Sequence, residues 1–390
     1  MRVFLKKGRE RPVLNGHPWI FSGAIEKTEE DSGSTAIADV FDSRGNWLAR
    51  GLYNPKSQIR VRILTWEKEE IDSFFFCRRL SQAAALREKF LPPSTNSYRV
   101  VNGEGDLLPG LVVDRYSDFL VCQFFTAGID KLKGAGVDAL SSLFKPRGIY
   151  ERSEGGVRDE EELPPSVGVL VGEEPPELVR IEENQISFLV DVRKGQKTGF
   201  FLDQRDNRTL LSSLARDMTI LNCFAYTGGF AAYALKAGAK RVISVESSRP
   251  ALELARESFD LNGFSVAEQD LVRADAFSYL KSCTEEFDIV VLDPPALARK
   301  RGDVAAAAGS YKFLNLHALR LLKPGGLLFT FCCSQHLSLD LFQKIVFGAA
   351  VDASRRVQLL KRLGHPPDHP VSLHHPEGEY LKGFLLSVLE

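Results

Sequence analysis

Thr219-Ile-Leu-Asn-Cys-Phe-Ala-Tyr-Thr-Gly-Gly-Phe230 is the stretch on which the fold turns. It opens as a short apolar strand, passes through small residues at Thr227-Gly228-Gly229, and continues with helical spacing. Further strands are expected at Arg241–Glu246, Phe287–Asp293 and Gly326–Cys333, with helical patterns between them. One helix is expected over Pro250–Leu261. Leu252, Ala255 and Phe259 form its stripe, Ser248 caps it, Pro250 starts it and Asn262-Gly263 stops it. Nearly continuous apolar strands alternating with helices predict a parallel sheet covered on both faces, an α/β architecture. In such sheets ligands sit at the carboxyl ends of the strands, so the chemistry is sought there.

Each strand end carries a candidate. The small residues around Gly228 let a backbone approach a ligand at a helix N-terminus. A dinucleotide fingerprint would need glycines spaced G-x-G-x-x-G, and Phe224 and Tyr226 stand where small residues would be required. A nicotinamide cofactor is therefore disfavoured. Glu246 ends the second strand, where a carboxylate accepts hydrogen bonds from a ribose diol. Asp275 precedes the next helix and suits an exocyclic amine, although Asp is also a common helix cap. Asp293 is held by Pro294 and Pro295, which stop the strand and fix the backbone. Thr330-Phe-Cys-Cys-Ser334 closes the last strand. Adjacent strand residues face opposite ways, so Cys332 and Cys333 cannot both look into the cleft. Cys77, Cys122, Cys223 and Cys283 read as small buried hydrophobes. His365, His369, His374 and His375 lie among prolines without helical spacing or nearby cysteine, so no metal is expected.

The rest of the chain reads as two further domains. Residues 1–70 are expected to be all-β: Ile59, Val61 and Ile63 alternate with Arg60 and Arg62, which predicts aliphatics on one face and arginines on the other. Residues 71–180 are mixed, with two strands between Leu107 and Phe125, a helix over Ile129–Phe144 and a strand from Gly148 to Glu151. Arg158–Glu162 and Glu173–Glu177 read as solvated acidic connections. Residues 181–390 form the α/β domain. The 50 Lys and Arg nearly cancel the 51 Asp and Glu, so the chain is not basic throughout, though a local basic face stays open. The basic start has no apolar core behind it, no apolar run reaches the roughly 20 residues of a bilayer span, and six unpatterned cysteines describe no disulfide framework. A reducing cytoplasm is expected.

Taken together, these residues resemble the S-adenosylmethionine-dependent methyltransferases of bacterial large-subunit ribosomal RNA that modify carbon 5 of cytosine and carry an N-terminal PUA domain. The resemblance runs the length of the chain. It is strongest at Lys197-Thr-Gly-Phe-Phe-Leu-Asp-Gln-Arg-Asp206, Asn222–Phe230, Asp293-Pro-Pro295, Thr330–Ser334 and Pro376-Glu-Gly-Glu-Tyr-Leu-Lys-Gly383. It implies a PUA barrel, a small central α/β domain and a seven-stranded Rossmann-like catalytic domain. On matching positions it implies that Asn222, Phe224, Thr227 and Gly228 cradle the amino-acid part of S-adenosylmethionine. Glu246 would take the ribose and Asp275 the adenine, with Gln204, Arg205 and Asp293 also at the cofactor.

Cys333 matches the nucleophile position of a Ser-Cys-Ser motif. Cys332 replaces its first serine, which leaves open which thiol attacks. Ala296 stands where the family often has Lys. The implied chemistry is addition of a thiolate to carbon 6 of cytosine, assisted by a proton shared with Asp293, because carbon 5 alone is too weak a nucleophile. The target base must leave its stack, which favours a loop or unfolded stretch of 23S ribosomal RNA, free or in a large-subunit assembly intermediate. Arg60, Arg62, Lys6 and Lys7 would hold phosphates. The resemblance is also compatible with a homodimer. Two alternatives are an amino-group RNA methyltransferase, against which Ala296 and the strand-end cysteine weigh, and a non-catalytic assembly factor.

Overall fold

A computed structural model describes residues 1–30, 36–298 and 300–389. The chain forms two compact units assembled from interleaved segments. One comprises Met1–Ile181, Asp191–Phe200 and Pro367–Gly378; the other comprises Glu182–Val190, Phe201–Pro366 and Glu379–Glu390.

The second unit is built on seven strands: β1 (Thr219–Cys223), β2 (Arg241–Glu246), β3 (Leu271–Arg273), β4 (Phe287–Leu292), β5 (Leu322–Cys332), β6 (Val357–Leu363) and β7 (Lys382–Val388). Their order is β3-β2-β1-β4-β5-β7-β6. The pairs from β3 through β5 are parallel, whereas β7 runs antiparallel to both neighbours. The central strands are apolar on both faces because helices cover both: Ile220, Leu221, Val290 and Val291 are all fully buried. The expected helix runs over Arg249–Leu261 with the expected cap, Ser248 Oγ accepting from the Ala251 amide at 3.4 Å. Ala251, Leu252, Ala255, Ser258 and Phe259 are its buried stripe. A buried ion pair ties this unit's first segment to its body. Arg208 grips Glu183 through Nε (2.9 Å) and Nη2 (2.8 Å to the second oxygen), and the Tyr233 hydroxyl donates to the same carboxylate.

The first unit contains a six-stranded sheet, ordered Trp19–Phe21, Ile59–Thr65, Trp47–Tyr53, Ile37–Phe41, Arg2–Leu5 and Ile25–Glu29. It closes over Val3, Leu5, Val40, Ala49, Val61 and Ile63. A five-stranded sheet follows, with Ser166–Gly172 at one edge and Ser97–Asn102 at the other. Residues 1–70 and 71–180 were expected as separate domains, but they share a core. Leu52 and Leu64 of the first sheet sit in one apolar cluster with Phe75, Phe76, Val100, Leu111 and Leu120.

That shared core corrects two expectations. Arg62 does not stand on a wet face: it is buried, and its guanidinium pairs with Glu161 at 2.7 Å. The acidic stretch at Arg158–Glu162 is not a solvated connection throughout. Residues Gly156–Glu160 form a short helix, Arg158 is buried, and the buried Glu161 also accepts from Asn54 Nδ2 (2.7 Å) and the Ala127 amide (3.2 Å). The segment Pro367–Gly378 belongs to this unit too. The Asp368 carbonyl accepts from the buried Arg87, the His375 ring packs on Trp19 at 4.3 Å, and His374 Nδ1 lies 2.8 Å from the Asn15 carbonyl.

Candidate active site

The turn after β1 is built from left-handed residues. Phe224, Tyr226 and Gly228 have φ of 59°, 47° and 76°. At Gly228 only glycine fits, since a Cβ there would lie 2.6 Å from Phe259 Cζ and 3.1 Å from Ala255 Cβ. The two aromatic residues accept conformations that L side chains disfavour, and such strain persists where surrounding structure enforces it. Part of that enforcement is Glu246 at the end of β2. Its Oε2 accepts the Tyr226 amide and its Oε1 accepts the Ser248 amide, each at 2.9 Å. Thr227 is buried. Asn222, on β1 itself, is 1% exposed, yet neither its amide nitrogen nor its oxygen has a partner among the described residues. An orphaned buried amide costs about 1–3 kcal/mol, so this site fits a polar ligand laid over the turn. Asp275 is exposed and caps the helix Ala276–Ser282, its Oδ1 accepting from the Ser278 amide at 2.9 Å.

Asp293 stands half-buried just past β4 and accepts from Gln204 Nε2 at 3.0 Å. Gln204 is itself fixed, because Asn207 Nδ2 donates to its oxygen at 2.6 Å and to the Gly364 carbonyl at 3.1 Å. Gln204 and Arg205, both buried, belong to the chain just before β1, where a turn over Leu202–Gln204 runs into the helix Arg205–Ser212. Nearby, the Tyr380 hydroxyl donates to Asp203 Oδ2 at 2.6 Å.

The two adjacent cysteines part company at the end of β5. Cys332 is fully buried in the core cluster. Cys333 is half-buried and its thiol donates to the Pro294 carbonyl at 3.4 Å, next to Asp293. The following residue locks the two turns together. Ser334 Oγ accepts the Ala298 amide at 3.1 Å and lies 3.1 Å from the Tyr311 hydroxyl, while its carbonyl accepts from Lys382 Nζ at 3.1 Å. Burial pushes the Cys223 and Cys122 thiols well above the ordinary value, so these two are poor nucleophiles. Sequence reasoning assigned no role to Asn207, Ser334 or Lys382; only their spatial neighbours draw attention to them.

Of the residues read as phosphate contacts, Lys6 and Lys7 are exposed, with Lys6 Nζ reaching the Gly23 carbonyl at 3.0 Å. Arg60 is half-buried, and its Nη1 has no protein partner among the described residues. All lie in the first unit. None of the described helices is long and apolar enough to cross a membrane.

A parallel sheet into which an antiparallel β7 is inserted between β5 and the edge strand β6, with polar groups gathered at the carboxyl ends of β1, β2, β4 and β5, defines an S-adenosylmethionine-dependent methyltransferase domain. The family model of that description matches residues 156–380, and a PUA-like domain model matches residues 3–66. Proteins named ribosomal RNA large subunit methyltransferase I are similar over almost their whole length. The one from Vibrio parahaemolyticus is 46% identical over 99% of both chains, and that from Photobacterium profundum is 45% identical over 98% of both. A solved structure from Streptococcus mutans, assigned as an S-adenosylmethionine-dependent methyltransferase, shares the fold over 100% of both chains with a TM-score of 0.85 at 24% identity. The chain belongs to the S-adenosylmethionine-dependent methyltransferases, in the family that these full-length relatives make up. Its cofactor is S-adenosylmethionine.

Proposed function

We propose that the protein methylates carbon 5 of a cytosine in large-subunit ribosomal RNA, with Cys333 as the attacking thiol. The relatives' names supply the RNA. The observation that carries the carbon-5 reading is the half-buried Cys333 thiol beside the Asp293-Pro-Pro turn. Methylation of an exocyclic amine has no use for a nucleophilic sulfur there.

S-adenosylmethionine supplies an electrophilic methyl group on a sulfonium. The chain's own residues make carbon 5 reactive. The Cys333 sulfur bonds to carbon 6 of the ring, and the displaced π electrons gather at carbon 5. Asp293, oriented by Gln204 and through it by Asn207, holds a proton at ring nitrogen 3 and so eases that addition. Carbon 5 uses that electron pair to take the methyl group; loss of its proton to a base then returns an electron pair to the ring, the sulfur–carbon-6 bond breaks, and Cys333 leaves as a thiolate. Cys332 plays no part in bonding, because it lies in the core. Lys6, Lys7 and Arg60 contribute phosphate contacts from the PUA-like unit, and the enzyme acts in the cytoplasm.

The test uses ribosomal RNA carrying tritium at carbon 5 of cytidine, prepared from cells lacking the protein. One tritium should be released per methyl group transferred, and Cys333→Ala should release none. Methyl transfer with the tritium retained would refute the carbon-5 reading and favour an amine target.

A further inference from the structure

Attack by Cys333 needs two turns held at one spacing: the Asp293-Pro-Pro turn past β4 and the end of β5. No sheet ladder sets that spacing, because residues 293–298 lie in neither strand nor helix. Pro294 and Pro295 stiffen the turn, but proline has no N–H with which to anchor it. Side chains do the anchoring. The Cys333 thiol donates to the Pro294 carbonyl at 3.4 Å, and the Ala298 amide donates to Ser334 Oγ at 3.1 Å. The first bond uses the thiol proton, so it is lost once the sulfur ionises or bonds to a ring. During attack the spacing therefore depends on Ser334. A serine hydroxyl swings among staggered rotamers unless a partner fixes it. Here the partner is Tyr311. Its hydroxyl lies 3.1 Å from Ser334 Oγ, and both residues are fully buried. Tyr311 sits on the helix Val304–Arg320, its ring 5.5 Å from that of Phe342, which in turn stacks at 5.2 Å on Phe384 of β7. Helix and sheet together hold the ring still. A phenylalanine would fill this core with no polar atom to satisfy; what tyrosine adds is a hydroxyl, and it is placed on Ser334.

We propose that Tyr311 is a positioning residue of the reaction: acting through Ser334, its hydroxyl fixes the spacing between the Cys333 sulfur and the Asp293 turn while the thiol bond to Pro294 is broken. The proposal rests on Cys333 being the attacking sulfur. Tyr311 is too deeply buried to touch RNA or cofactor, so its effect passes through Ser334 and the Ala298 amide. When the sulfur leaves carbon 6 and regains its proton, the bond to the Pro294 carbonyl forms again and the turns are tied at both places.

The experiment is a single turnover of the full-length enzyme on the carbon-5-tritiated ribosomal RNA described above, with methyl transfer and tritium release followed together. Tyr311→Phe removes one oxygen and keeps the ring. It should slow methyl transfer about tenfold or more, since a misplacement of about 1 Å can cost about 10²-fold. Its affinity for S-adenosylmethionine, read by calorimetric titration, should stay within about twofold of the wild type, so that the loss falls on the rate and not on binding. Ser334→Ala should slow the reaction at least as much, and the Tyr311→Phe, Ser334→Ala pair no more than Ser334→Ala alone, because both changes break one linkage. Phe342→Leu is the control for a merely structural role. It loosens the packing on the Tyr311 ring and leaves the hydroxyl bond. It should lower the melting temperature at least as far as Tyr311→Phe does, with methyl transfer within about twofold of the wild type. A Tyr311→Phe enzyme as fast as the wild type, multiplying losses in the pair, or an equal slowing in Phe342→Leu would overturn the proposal. Retained tritium in the wild type would bring down the carbon-5 reading and this proposal with it, whereas released tritium with an unslowed Tyr311→Phe would bring down this proposal alone.

Discussion

Gly228→Ala tests whether the backbone of the β1 turn is what receives the cofactor. Two costs follow from the structure. An alanine at φ +76° costs about 1–2 kcal/mol in the left-handed region. Its Cβ would also lie 2.6 and 2.9 Å from two ring carbons of Phe259, well inside the roughly 3.5–4.0 Å of a relaxed carbon contact. Phe259 is 1% exposed and Ala255 fully buried, so the ring has nowhere to swing, and overpacking of this kind costs about 1–3 kcal/mol. The sum is about 2–5 kcal/mol. Whatever part is relieved by displacing the turn reappears as weaker cofactor binding, at about tenfold per 1.4 kcal/mol. Calorimetric titration with S-adenosylmethionine should show at least a tenfold loss of affinity, and thermal unfolding a lower midpoint. Phe259→Leu in the same background should recover part of the loss by removing the overlap while leaving the φ penalty. A Gly228→Ala protein with wild-type melting and wild-type affinity would refute the reasoning.

Three further outcomes are expected. Cys333→Ala should abolish methyl transfer while changing stability by less than about 0.5 kcal/mol, whereas Cys332→Ala should cost about 1 kcal/mol through its void and keep activity; calorimetry and activity with the pattern reversed would exchange their roles. Arg208→Met leaves Glu183 buried without its partner and should destabilise the second unit by about 3–5 kcal/mol in denaturant unfolding, with the Glu183→Met, Arg208→Met pair closer to wild type. In the first unit, burial holds the His375 pKa below its ordinary 6.5 against the opposing pull of Glu104 and Glu377, with His17 adding to the lowering. The unfolded segment therefore binds its proton first as pH falls. Stability is full above about 6.5 and is lost below it, down to the depressed folded value. Backbone hydrogen exchange in Pro367–Gly378 should accelerate between pH 7.5 and 5.5 after correction for intrinsic rates, and His375→Phe should flatten that dependence.

Four strands of the sheet were readable because each contains a nearly continuous apolar run, β2 and β4 closing on an acidic residue, and burial on both faces leaves that pattern unmixed. The candidates at strand ends followed from the same logic: Asn222, Glu246, Asp293 and Cys333 all lie at the carboxyl edge. Arg62 was misread because period-2 alternation assumes one wet face, and here the face carrying Arg62 meets Glu161. Glu161 escaped for the mirror reason, since nothing in a run of glutamates marks the one that has an arginine waiting. The doubled cysteine was ambiguous in one dimension and separates only when Cys332 is seen inside the core. Lys382 looked like any surface lysine; its burial comes from the antiparallel register of β7 against β5, a pairing between residues far apart in the chain.

The polypeptide passes between the two units five times, the last at the junction of Gly378 and Glu379. Domains generally fold as they emerge during synthesis, amino end first. Here the first unit lacks the Pro367–Gly378 stretch, with its Asp368 carbonyl for Arg87 and its His375 for Trp19, until residues 201–366 of the other unit have been made. A premature stop before Pro367 would leave the first unit without those two contacts, however much of its chain had already been made.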